Sequence, residues 1–356
     1  FTEKKANGML KIMIEDLNAV GQHIQDTELI INSDQRNWVL ELAGDKIIGR
    51  ISIPFKRENG FFELDLEKLE IETIKSKNKT PLRSIAFQNF KGDIDSLKIE
   101  DTDLGEVSFE ISKKLGDYHL RKFELVGEEI EMKMSGSWLD SPTKTKCRIE
   151  GTGEKLATIL SLLNYELAGL EAGSITFLLD TQWNGIPLDF DLSKMTGFLN
   201  LTIKEGRLLN LEPGTSRLFG LMSLQALPRR LSLDFKDLFK KGLFFDFISG
   251  GFSLADGIAR TDDMLMNGPS VIIEISGETN LKEKSYDQVA VVTPKLSDSI
   301  PMASALLGPV GLGAGAVYYL SQKVFKSIPN KVDEILQKEY LIRGNWEDPK
   351  VSRIGR

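Results

Sequence analysis

"GGFSLADGIARTDDMLMNGPSVIIEISGETNL", Gly250 to Leu281, carries the fold class in its spacing. Ser253 separates Phe252 from Leu254, and Glu274 separates Ile273 from Ile275. Met264 and Met266 stand two apart in the same way. Two turn signals, Ala255-Asp256-Gly257 and Asn267-Gly268-Pro269, cut the stretch into three pieces. Period-two alternation with such punctuation predicts three half-buried strands of an antiparallel meander.

The pattern extends outward from there. "FFELDLE" sets Phe62, Leu64 and Leu66 against Glu63, Asp65 and Glu67. "PLDFDL" does the same with Leu188, Phe190 and Leu192, and "FLNLTIKEGRLLNL" with Leu199, Leu201 and Ile203. Helical spacing is rarer. It occurs in "GEKLATILSLLNYELAGL" (Leu156, Ile159, Leu160, Leu163, Leu167) and in "TSRLFGLMSLQAL", capped by Thr215 or Ser216 and stopped by Pro228. The run from Ser299 to Gln322 and "PNKVDEILQKE" are the other two helical candidates. The expectation is about sixteen strands or more against about four short helices. One ending recurs: "MKMSGSWLDSP" (Met132 to Pro142) and "YLIRGNWEDP" (Tyr340 to Pro349) both place Gly-x-Trp-x-Asp after a strand. It reads as a strand-to-turn device, and its recurrence suggests similar sheet units.

Four short helices cannot cover the apolar face of so many strands. Either the sheet folds on itself as a sandwich or barrel, the commoner solution, or an elongated apolar ligand lies against it.

Composition narrows the function. The chain has 356 residues, is 41% hydrophobic and carries a net charge of -7 with a pI near 5.2. An acidic chain lacks the electrostatic footprint of a nucleic-acid binder. One cysteine, Cys147, rules out an internal disulfide. The chain starts at Phe1 rather than Met, with no signal-like segment, and reads as part of something longer. His23 and His119 are far apart, and with a single Cys they suggest neither a zinc site nor a Cys/His nucleophile. No catalytic residue, metal or cofactor is expected, and the chain reads as a non-enzyme. "GLGAGA" (Gly311 to Ala316), with Asp333 beyond it, matches a dinucleotide fingerprint. The fingerprint needs a preceding strand and surrounding βαβ units, whereas Pro301 and Pro309 interrupt this segment and its neighbours are antiparallel.

Ser299 to Gln322 contains no charged residue. Gly308-Pro309 breaks it into two pieces, roughly Pro301 to Leu307 and Val310 to Phe325. It is expected either to cap one end of the sheet or to associate with a membrane. The membrane-facing candidates are Leu306, Leu307, Val310, Leu312, Val317, Tyr318, Tyr319, Leu320 and Phe325.

Four blocks carry a family resemblance: "GFLNLTIKEGRLLNLEPGTSRLFGLMSLQALPRRLSLDF" (Gly197 to Phe235), "GLFFDFISGGFSLADGIARTDDMLMNGPSVIIEISGETNL" (Gly242 to Leu281), "VTPKLSDSIPMASALLGPVGLGAGAVYYLSQKV" and "YLIRGNWEDP". In order and spacing they resemble the YhdP family of the AsmA-like superfamily. Upstream, "LNAVGQHIQDTELIINSDQRNWVLEL", "DTDLGEVSFEISK" and "TQWNGIPLDFDLSKMTG" look like the same family's more variable region. The resemblance implies a mainly β fold, a long curled antiparallel sheet forming an open, taco-like groove, with short helices near the C-terminal end. It implies bridge-like transfer of phospholipid between inner and outer membrane in the periplasm, in support of the outer-membrane barrier. It also implies an inner-membrane anchor in an N-terminal segment absent from this chain. A protein partner in the periplasm or outer membrane, of unidentified kind, is compatible with it. The alternative is a TamB-like structural tether or assembly scaffold of the envelope that conducts no lipid.

On this reading residues 1–152 form a β-groove segment, 153–205 a helix with continuing groove strands, and 206–356 an AsmA-like C-terminal region with an apolar helical tip at about 299–326. The expected groove lining is Leu199, Leu201, Ile203, Phe252, Leu254, Met264, Met266, Ile273, Ile275, Val289 and Val291.

Overall fold

The computed structural model describes residues 9–19, 22–56, 60–72, 89–100, 102–140, 143–154, 170–208, 223, 243–295 and 337–354. They form a mainly β protein with nineteen strands. Contacts divide the chain into two units, Phe1–Thr143 and Lys144–Arg356.

The first unit holds β1 (Leu10–Ala19), β2 (Gln22–Ser33), β3 (Asn37–Ala43), β4 (Ile47–Pro54), β5 (Phe61–Ile71), β6 (Asn89–Ile99), β7 (Thr102–Lys114), β8 (Asp117–Val126) and β9 (Ile130–Asp140). Each strand pairs with the next, antiparallel in seven steps of the ladder. The exception is β5 with β6, which run parallel, Phe62 beside Phe90 and Leu66 beside Ile94. The expected antiparallel sheet is corrected at that step. The connection from Ile71 to Asn89 exceeds the dozen or so residues that a parallel return requires.

The second unit holds β10 (Thr143–Gly153), β11 (Leu170–Ala172), β12 (Ile175–Asn184), β13 (Thr196–Leu208), β14 (Leu243–Ala255), β15 (Ile258–Asn267), β16 (Val271–Asn280), β17 (Ser285–Pro294), β18 (Lys338–Asn345) and β19 (Lys350–Ile354). β10 pairs with β12, and β11 and β12 lie end to end along β13. From β13 onward each strand pairs antiparallel with its successor. The three strands expected in Gly250 to Leu281 are β14, β15 and β16. Asp256 and Gly257 both have positive φ, 54° and 83°, which is the two-residue hairpin geometry that matches strand twist.

Two local expectations are corrected. "PLDFDL" is not a strand but two short 3-10 turns, Pro187–Asp189 and Leu192–Lys194. Pro187 fixes the first turn and Asp189 accepts the Ile186 N–H at 3.2 Å. Asp191 then caps the second by accepting the Ser193 N–H at 3.0 Å. These local bonds outcompete a sheet ladder. In "PNKVDEILQKE", Lys338 and Glu339 open β18 rather than close a helix. Residues 329–336 of that segment and the helices expected at 156–167 and 299–325 lie outside the described residues. So does the helix expected at 215–227, apart from Ser223.

Candidate functional site

In the first unit, cross-strand register aligns one residue from every strand: Ile12, Leu29, Leu42, Gly49, Leu66, Ile94, Val107, Leu125 and Met132. A parallel row two residues along contains Leu10, Ile31, Leu40, Ile51, Leu64, Gly92, Phe109 and Phe123. The alternate residues form the opposite face: Lys11, Ile30, Glu41, Arg50, Asp65, Asp93, Ser108, Glu124 and Lys133. Ion pairs lace that face, Lys11 to Glu28 at 2.7 Å and Lys91 to Glu63 at 2.8 Å among them. Exposed pairs of this kind contribute about 0–1 kcal/mol each; they keep the face wet more than they stabilise it.

The apolar face of this unit is only partly covered. Leu66, Ile94, Val107 and Leu125 are buried in its middle. Leu29, Leu42, Ile31, Leu40, Ile51, Leu64, Phe109 and Phe123 are half-buried, and Leu10 and Ile12 are exposed. Away from its buried middle this apolar face stays only partly covered, from the exposed Leu10 and Ile12 to the partly buried Phe109 and Phe123. A depression of about 350 Å³ between β2 and β5 is lined mainly from the charged face, by Glu28, Glu41, Arg50, Asp65 and Glu67 together with Ile30, Ala43 and Ile48.

The second unit treats its apolar face differently. Ile203, Ile248, Met266, Ile273 and Val292 form one row across five strands, each at most 1% exposed. Gly250, Met264, Ile275, Ala290 and Tyr340 belong to the same face. Here the face is a packed core. Burial of each of the Ile, Val and Met side chains here stabilises the fold by about 1.5–3 kcal/mol. Coverage thins toward β10 and β12, where Cys147, Ile149, Ile175 and Phe177 are only partly buried.

Nine of the eleven expected lining residues share this buried face: Leu199, Leu201, Ile203, Phe252, Leu254, Met264, Met266, Ile273 and Ile275. Leu199 is half-buried and packs against the cluster, and the other eight are fully buried. Val289 and Val291 do not belong with them. Val291 opposes Glu274 and Val289 opposes Ser276, both on the other face. The residues of β17 on the buried face are Tyr286, Gln288, Ala290 and Val292. "SYDQVAVVTP" is apolar on both phases; Asp287, which shares a face with Val289 and Val291, was the signal that sets the register. The membrane-facing candidates Leu306, Leu307, Val310, Leu312, Val317, Tyr318, Tyr319, Leu320 and Phe325 lie outside the described residues.

Among the described residues no His/Cys/Asp/Glu group could hold a metal ion, and no helix is long and apolar enough to cross a membrane. Burial pushes the Cys147 thiol up to about 11, with the Asp180 carboxylate adding to the shift, so it is a poor nucleophile at neutral pH.

This arrangement defines a class of protein: mainly antiparallel β units, one with an apolar face only partly covered and a charged face opposite, the other with its apolar face packed as a core. The chain belongs to the YhdP family, whose model, described as YhdP protein, matches residues 4–351. It is 27% identical over 225 residues to the intermembrane phospholipid transporter YhdP of Escherichia coli (strain K12). That alignment covers 62% of this chain and 17% of the transporter, so the aligned part spans less than a fifth of the relative's length. No solved structure matches.

Proposed function

We propose that this chain is a segment of a phospholipid conduit between the inner and outer membranes, working in the periplasm without enzymatic chemistry. The observation that carries the reading is the partly exposed apolar row from Leu10 to Phe123, backed by a charged face. A sheet that leaves such a surface in water without a ligand invites aggregation. Acyl chains laid along it gain about 0.8 kcal/mol per buried CH₂, with no requirement for specific side-chain geometry. Such a surface holds lipid and lets it slide, because no single contact is strong.

The relative's name, an intermembrane phospholipid transporter, supports the same reading. In the second unit the corresponding face is buried within the chain. The residues Leu201, Ile203, Phe252, Leu254, Met264, Met266, Ile273 and Ile275 therefore act there as core, and conduction belongs to the first unit. The uncharged run Ser299 to Gln322 supplies the part that meets a membrane.

Native mass spectrometry of the gently purified chain is the test. Phospholipid is expected to co-purify, at more than one molecule per chain. A chain that is lipid-free as isolated, and captures none from vesicles, returns the protein to the tether or scaffold reading.

A further inference from the structure

The two ends of the strands in the first unit differ chemically. One end comprises the starts of β3, β5, β6 and β8 and the ends of β4, β7 and β9, which the register brings side by side. On the apolar face this end carries Trp38, Phe62, Phe90, Tyr118 and Trp138. Trp38 is 48% exposed and meets the exposed Phe55 edge-on at 5.5 Å. Lys113 reaches over the Tyr118 ring at 4.7 Å, and Arg36 and Lys56 stand along the same end, with Asp34 and Asp117 between them; Lys91 is paired with Glu63 on the charged face. The opposite end has no described aromatic residue and is acidic: Asp45, Glu70, Glu72, Glu100, Asp103 and Glu128. Its Lys46 is tied to Glu72 at 2.5 Å.

The recurrent Gly-x-Trp sequence falls at such an end in each unit. Trp138 stacks on Tyr118 at 5.0 Å, and Trp346 lies beside Tyr286 at 6.1 Å. Both of these indole N–H groups are buried without an acceptor. Trp183, outside the motif, gives its N–H to the Ile186 carbonyl at 3.0 Å. Two copies of one motif thus leave the same donor unpaired behind a neighbouring ring.

We propose that the aromatic end of the first unit is a headgroup lip. It seats the phosphate and glycerol ester region of a phospholipid whose acyl chains run along the strands toward Leu66 and Ile94. The inference rests on the conduit reading and adds an orientation to it. Trp and Tyr favour the boundary between hydrocarbon and water, with an apolar ring on one side and a donor on the other. Lysine and arginine complement the phosphate, whereas the acidic end repels it. Length agrees. The hydrocarbon of one leaflet is about 15 Å, half of a bilayer core. Four residues of strand, from Phe62 to Leu66, span about 13 Å. The tails of a lipid held at the lip thus lie over the partly buried row of Ile51, Leu64 and Phe109, end where the buried row of Leu66 and Ile94 begins, and stop short of the acidic end.

The experiment uses the full chain with vesicles containing one of two photoreactive phosphatidylethanolamines, reactive in the headgroup or at the acyl terminus, and maps labelled peptides by mass spectrometry. The headgroup probe is expected to label the segments around Trp38, Lys113 to Tyr118 and Trp138 several-fold more than those around Asp45, Asp103 and Glu128. The acyl probe is expected to label around Leu64 to Leu66 and Ile94. Trp138→Phe combined with Lys113→Glu keeps the ring stack and is expected to cut headgroup labelling several-fold while acyl labelling persists. Headgroup labelling at the acidic end, or equal at both ends, overturns the lip and leaves the conduit standing. So does labelling unchanged by the double variant. Displacement of the headgroup probe by inorganic phosphate alone overturns the assignment to lipid. Labelling by neither probe overturns the conduit itself.

Discussion

Val291 of β17 stands directly opposite Glu274 of β16, on the face that Ile273 and Val292 do not share. Leu265 of β15 flanks the same carboxylate from the other side. Held among apolar neighbours, Glu274 has its pKa raised above 4.5 by burial. The folded state then binds the proton more tightly than the unfolded state. Stability is at its fullest below pH 4.5 and declines as pH rises through the folded-state value. Glu274→Gln removes the ionisation. The variant is expected to melt higher than the parent at pH 7, with the advantage shrinking toward pH 4.5. Thermal melts across that range check it; an advantage that grows on acidification contradicts the desolvation account.

The contrast between the two apolar faces has a direct stability consequence. Ile273 is fully buried in a packed row, whereas Ile51 is half-buried on the bare face of the first unit. Ile273→Ala is expected to cost about 2–5 kcal/mol, as truncation in a core that cannot collapse does. Ile51→Ala is expected to cost less, below about 2 kcal/mol, because part of its surface was never removed from water. Urea unfolding with separate probes for each unit measures both. Equal costs would mean that the first unit's face is covered as thoroughly as the second's.

The period-two pattern made the strands legible because alternation is a local property. "FFELDLE" and Gly250 to Leu281 became strands as their spacing required. The parallel step between β5 and β6 was not legible, since alternation is the same in parallel and antiparallel strands. Nor was "PLDFDL", where proline and two capping aspartates override an alternating pattern. The apolar face of the second unit was readable up to β17, where apolar residues on both phases hid the register. What no alternation pattern reveals is coverage. Leu64 and Ile275 look alike in sequence, yet one is only partly buried and the other is in a core. That difference depends on what lies above the sheet, and it moves the candidate site from the C-terminal strands to the first unit.

Gly49 interrupts the middle apolar row at a register shift between β4 and β5. Its φ is +138°, and a Cβ there would sit 2.5 Å from the Asp65 carbonyl oxygen and 2.6 Å from the Leu66 Cα. Both are backbone atoms and cannot step aside. Gly49→Ala is expected to cost about 2–4 kcal/mol through strain and overpacking together. Gly116, with φ +96° and nothing within 4 Å, isolates the conformational part; Gly116→Ala is expected to cost about 1 kcal/mol. Denaturant midpoints for the two variants test the difference, which vanishes if the backbone at Gly49 can relax.

Cys147 reports on the partly covered edge of the second unit. With a thiol pKa near 11 instead of 9.0, its thiolate at pH 8 is roughly a hundred-fold scarcer than that of an unperturbed thiol. Alkylation by iodoacetamide in the native state is expected to be slower by about that factor than in denaturant. Its rate should climb about tenfold per pH unit between pH 8 and 10. A rate already flat by pH 9 would show an ordinary, exposed thiol.

Leu40 and Val39 are neighbours on β3, both half-buried, and they point to opposite faces. Leu40 aligns with Ile31 and Ile51, and Val39 with Asn32 and Ser52. Aspartate at either site puts a charge on the same strand at the same depth along the sheet, so the two variants differ chiefly in which face receives it. If acyl chains lie on the apolar face, Leu40→Asp places a carboxylate against hydrocarbon, disfavoured by several kcal/mol unless the lipid withdraws. Lipid capture from vesicles is expected to fall at least several-fold. Val39→Asp adds one more charge to a face already lined with Glu41, Arg50 and Glu63, and capture is expected to stay at the parent level. Circular dichroism melts on both variants separate loss of fold from loss of binding. If both remain folded and lose capture equally, lipid does not distinguish the faces, and the row from Leu10 to Phe123 is not where it lies.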